Sequence, residues 1–167
     1  MKKLVTLILS LISLPALCQE EAYVPVARNT VFIEGLGIGG YGSLNYERTV
    51  LKVNRFDFNL RVGFSTYHLK DFTNSFNPDV IVPLTAGVMY GNNHHIELGG
   101  GRIFTSVTSF NGENAEPQRD LEMNSTFFVG YRYQRDTGGF IFRATYSPLF
   151  TTNVRWTWGG ISVGYAF

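Results

Sequence analysis

Gly160-Ile161-Ser162-Val163-Gly164-Tyr165-Ala166-Phe167 is the stretch that decides how this chain is read. Ile161, Val163, Tyr165 and Phe167 hold every second position, and Gly160, Ser162, Gly164 and Ala166 lie between them. Successive side chains of a strand point to opposite faces, so this segment predicts one apolar face and one face of small groups. Such a strand suits a wall with lipid on one side and a crowded interior on the other.

The same alternation recurs towards the N-terminus. Phe56, Phe58, Leu60, Val62 and Phe64 alternate with Asp57, Asn59, Arg61, Gly63 and Ser65. Val80 to Tyr90 predicts a further strand, with Pro83 near an end or a bulge because proline cannot donate a ladder hydrogen bond. Strands are also predicted at Ile96 to Gly99, Thr126 to Tyr133 and Phe140 to Tyr146. Two more precede Phe56, over Thr30 to Gly39 and Tyr41 to Arg48. That makes eight, and no segment reads as an amphipathic helix.

The N-terminus reads as an export signal. Met1-Lys2-Lys3 is basic, Leu4 to Leu14 is apolar apart from Thr6, Ser10 and Ser13, and Pro15-Ala16-Leu17-Cys18 follows. This predicts a cleaved signal peptide over 1–18 and a short periplasmic segment over 19–29 ahead of a barrel over 30–167. The alternative keeps Cys18 as a lipid-bearing residue, for which Leu17 is a poor neighbour. Cys18 is the single cysteine, so the exported chain has neither disulfide nor thiol chemistry. Charged residues are 16% of the chain and the net charge is +1, which gives no reason to expect a nucleic-acid partner. Beyond the signal there is no apolar run of about 18 residues, so hydrophobic bulk can cross a membrane only as strands.

Short and long connections alternate. Leu51 to Asn54, Gly91 to His94 and Arg135 to Gly139 are brief. His68 to Asp79 and Val107 to Asp120 are longer, Pro148 to Arg155 is intermediate, and Gly39 to Gly42 is tight. Outer-membrane barrels pair short periplasmic turns with longer external loops. Tyr46, Phe56, Tyr90, Tyr133, Phe140, Tyr165 and Phe167 crowd the short-turn end, where amphipathic rings favour a membrane boundary.

With the apolar face outward, Glu34, Glu47, Asp57, Arg61, Glu97, Arg132 and Arg143 face inward. An Arg or Lys in mid-hydrocarbon costs about 2–4 kcal/mol. Four acids and three bases turned inward avoid that cost and can neutralise one another as a structural network. Eight strands enclose a bore that side chains just fill, so a plugged interior is expected rather than an open pore. The other reading is a narrow conduit lined by these charges.

No motif predicts catalysis, a cofactor or a metal. Gly37-Ile38-Gly39-Gly40-Tyr41-Gly42 has dinucleotide-loop spacing, but an alternating strand follows it where a helix is required. His94 and His95 fall on opposite faces of a strand, leaving His95 with Glu97 alone, and a solvated turn is the expectation there. Some eight-stranded barrels are lipid A deacylases with Ser and His near the outer rim; Ser65 and His68 are the only such pair, without that family's motif.

The ending at Val163, Tyr165 and Phe167 resembles the C-terminal strand signal that barrel-assembly machinery reads in bacterial outer-membrane proteins. Phe32 to Gly37 followed by Ser43 to Arg48 resembles the opening hairpin of small uncharacterised outer-membrane barrels. The resemblance implies an all-β, eight-stranded antiparallel up-and-down transmembrane β-barrel and no settled reaction. The expected function is non-enzymatic, structural or carried by the loops at 68–79 and 107–120, which could meet an extracellular ligand. Outer-membrane lipid and lipopolysaccharide are the expected surroundings. The rivals are a passage for small or hydrophobic solutes, a lipid A-modifying enzyme, and a soluble lipocalin-like barrel with its apolar residues inside.

Overall fold

The computed structural model describes residues 26–70, 74–110, 117–150 and 155–167. The expected signal peptide and residues 19–25 of the expected periplasmic segment lie outside the described residues. The strands are β1 (Asn29–Gly37), β2 (Gly40–Val53), β3 (Phe56–Phe64), β4 (Val80–Gly91), β5 (His94–Phe110), β6 (Pro117–Tyr133), β7 (Gly139–Phe150) and β8 (Arg155–Ala166). Each pairs antiparallel with the next, and β8 returns to β1 to close the barrel. Closure removes the free edges that an open sheet of this size would expose.

Paired residues traced round the wall, Thr30–Glu47–Arg61–Thr85–Gly101–Thr126–Leu149–Trp156, climb from the first residues of β1 to the top of β8. The strands are therefore strongly inclined, as closing eight of them demands. The alternation decides which face looks out. Phe56, Phe58, Leu60, Val62 and Phe64 are exposed, while Asp57, Asn59 and Arg61 are buried. The apolar side chains form the outer belt and the polar ones fill the bore, the reverse of a lipocalin.

The eight strands stand where the alternation puts them, but β5 and β6 are much longer than predicted. The stretch 107–120, expected as a loop, is mostly paired strand, with Thr108 opposite Arg119 and Phe110 opposite Pro117. Pro148 to Arg155 is likewise paired up to Phe150 opposite Arg155. The reason is physical: backbone pairing needs no apolar alternation, and Thr108, Ser109, Arg119 and Asp120 carry none to betray it. The short turns behave as expected. Asn54 takes a left-handed φ of 56°, which asparagine tolerates, between Val53 and Phe56.

Candidate functional site

The lumen holds a single chain of alternating charges. Arg61 Nη2 lies 2.5 Å from Glu34 Oε2, and the other oxygen of Glu34 takes Arg143 Nη1 at 3.2 Å. Arg143 also pairs with Glu97. Glu97 stands 3.1 Å from Arg132 Nε, and Arg132 closes on Glu47 with two donors, Nη2 at 3.0 Å. The order Arg61–Glu34–Arg143–Glu97–Arg132–Glu47 draws on β1, β2, β3, β5, β6 and β7, so it ties opposite walls together. Arg132 and Arg143 are 0% exposed. Stripping six ions of water is costly; attraction offsets it only because every ion has an opposite charge beside it and the set is neutral.

Aromatic faces and glycines complete the packing. Arg61 lies 4.9 Å from the centre of the Phe32 ring, and Arg143 lies 4.8 Å from that of Phe128. Asn45 accepts from Arg61 Nε and Nη2 at 3.0 and 2.7 Å. Glycine is required at Gly37, where a Cβ would overlap the Glu34 carboxylate, and at Gly99, where it would strike Phe128 and the Ala86 carbonyl.

Six of the seven predicted interior charges belong to this chain. Asp57 does not. It is buried at the short-turn end, where Lys52 Nζ lies 3.1 Å away and also reaches Asp136 at 2.7 Å. Lys52 escapes the alternation because the β2–β3 register shifts between Thr49 and Leu51. An extra residue there turns the following side chains over, and no local pattern announces it. His95 is not in a solvated turn; it is 3% exposed inside the barrel, while His94 lies outside and bonds the Tyr131 hydroxyl at 2.6 Å.

The sequence also hides an apolar seal. Ile38, Ile81 and Ile103 cluster inside the barrel near the long-loop end. Each inward isoleucine looks like an exception to a polar face until the three meet.

At the rim above, the two expected loops form one surface. Arg119 of β6 donates from Nη2 to the Pro78 carbonyl at 3.1 Å and also bonds Asn77, while its Nη1 bonds Ser106 at 3.1 Å. Asp79 accepts the Thr108 backbone N–H at 3.1 Å and pairs with His68 Nδ1 at 3.0 Å. Residues 71–73 and 111–116 of these loops lie outside the described residues. Ser65 and His68 are not brought together: Ser65 donates to the Gly42 carbonyl at 2.6 Å. Tyr67 folds over Gly40 and meets Tyr41 edge-on at 5.4 Å; partial burial, then Tyr41, push its phenol above the ordinary value.

The residues of the expected assembly signal lie on the outer face of the closing strand. Tyr165 is opposite Val31 and Val163 opposite Ile33, and the Phe167 N–H donates to the Asn29 carbonyl at 2.8 Å.

No family model and no curated protein matches the chain. Solved structures do. The N-terminal β-barrel domain of Pseudomonas aeruginosa OprF is similar with a TM-score of 0.55 at 16% identity, over 84% of this chain and 99% of that one. Ail, the attachment invasion locus protein of Yersinia pestis, is similar with a TM-score of 0.57 at 11% identity, over 86% of this chain and all of that one (100%). The fold is that of small eight-stranded outer-membrane barrels. At such identities the likeness reaches the fold alone, and the lumen and rim must be read from this barrel's own residues.

Proposed function

We propose that this barrel is an integral outer-membrane protein that works by presenting a rigid rim to the outside, without catalysis and without a solute path. The short turns face the periplasm, and the surface stitched from 74–79 and the β5–β6 hairpin faces out. The observation that carries the reading is the doubly closed lumen: a wall-to-wall chain of six paired charges with the Ile38, Ile81 and Ile103 layer above it. A barrel filled this way gains rigidity and forgoes a passage, leaving the outer surface as the place for recognition. In this reading 1–18 is removed on export, and Val163, Tyr165 and Phe167 are presented to the assembly machinery.

Planar-bilayer recording tests it. The purified protein inserts, shown by a gel mobility that changes on heating, and gives no discrete openings. Reproducible openings of the intact protein favour the conduit instead. Retention of a ligand from the cell exterior by the folded barrel, lost when the rim residues are exchanged, supports recognition.

A further inference from the structure

The outer face of the barrel holds an unexplained cation. Arg102 is exposed on β5, in line with Leu84 of β4 and Ser125 of β6. Phe104 is the next outward residue above it, and Leu98 and Phe127 lie below, so it sits in the outer half of the apolar belt. Its Nη1 donates to Ser125 Oγ at 2.6 Å, which points the guanidinium along the wall. No carboxylate pairs with it among the described residues. Among the strand residues whose side chains are described, the outward-facing charges are Arg48, Arg102 and Arg119, and the acids of the belt region turn inward. A guanidinium in this position calls for an oxyanion that comes from outside the chain.

The wall beneath Arg102 fits the rest of such a molecule. Ala86 and Gly100 are paired side by side on the outward face, directly below Leu84 and Arg102. Both are small beside the Leu98 and Phe127 side chains on the same face. A cation in the outer half of the belt, with small side chains on the side towards the membrane centre, matches the polarity of an outer-leaflet lipid, headgroup up and chains down. The larger dent beside Gly35 and Gly42, about 540 Å³ and walled by Ile33, Leu44, Phe64 and Ile161, lacks a cation and offers shape alone.

We propose that Arg102, Ser125 and the Ala86–Gly100 pair seat one lipid A molecule, the guanidinium holding a phosphate and one acyl chain lying along the small side chains below it. The inference rests on the outer-membrane reading above. The test uses the full barrel in phosphatidylcholine nanodiscs doped with lipid A, dephosphorylated lipid A or phosphatidylglycerol, with retained lipids counted by native mass spectrometry. Wild type should retain one lipid A and release the dephosphorylated form. Arg102→Gln should weaken lipid A retention by about tenfold, roughly the loss of one charge-assisted bond. Ala86→Leu, at an exposed outward position, should also weaken lipid A retention, and Arg48→Gln, at the other end of the belt, should leave it unchanged. Equal retention by wild type and Arg102→Gln in inserted protein overturns the site while leaving the barrel reading intact, and equal retention of phosphatidylglycerol overturns its assignment to lipid A. A wild-type chain that fails to enter the nanodisc overturns both readings.

Discussion

Arg132 and Arg119 lie on the same strand and do opposite work. Arg132 is buried in the lumen between Glu47 and Glu97, with none of its surface exposed. Arg119 stands exposed at the rim, bonded to Ser106, Asn77 and the Pro78 carbonyl, all groups that water would serve nearly as well. The difference teaches that the energetic weight of an arginine here follows its surroundings, not the number of bonds it makes. Inside, removal of one ion strands its neighbours; outside, it frees a loop.

Arg132→Ala should therefore produce the largest effect, about 3–5 kcal/mol lost, because buried Glu47 loses its ion-pair partner and Glu97 is left with Arg143 alone. Urea titration of the reconstituted barrel, followed by heat-modifiable gel mobility, measures it; a loss below 1 kcal/mol would break the contrast. Gly37→Ala comes next, at about 1–3 kcal/mol, since its methyl must displace a carboxylate held by Arg61 and Arg143. The penalty should shrink in a Glu34→Ala background, and a double-mutant cycle that shows simple additivity would place the strain elsewhere. Lys52→Met should cost about 1 kcal/mol or less, because this pair is partly open to water at the short-turn end. Arg119→Ala is the smallest, under about 1 kcal/mol in the same titration. It should instead speed proteolytic cutting within 74–79 on intact vesicles, which the Arg132 variant need not do once folded. An unchanged cutting rate would mean that Asp79 and Thr108 hold the rim without Arg119.

The wall was legible because lipid enforces a strict period of two on every strand that crosses it. Phe56 to Ser65 could be assigned face by face, and the same rule turned Glu34, Glu47, Arg61, Glu97, Arg132 and Arg143 inward. Legibility failed where that rule lapses. Thr105, Ser106, Thr108, Ser109, Arg119 and Asp120 carry no apolar alternation, so their pairing leaves no mark in hydropathy. Lys52 was lost to one inserted residue in β2. The isoleucine cluster depends on the β1–β2 turn meeting β4 and β5, and Arg102 is an outward charge whose significance shows only beside Ser125 and the small residues below it.

The greasy plug formed by Ile38, Ile81 and Ile103 makes hydration of the bore one-sided. The expected route for solvent to the buried ions is then the periplasmic mouth, past Lys52 and His95. Deuterium should therefore creep upward through the cylinder, labelling amides around Asp57 long before those around Glu34, and external medium should leave the ionic string untouched.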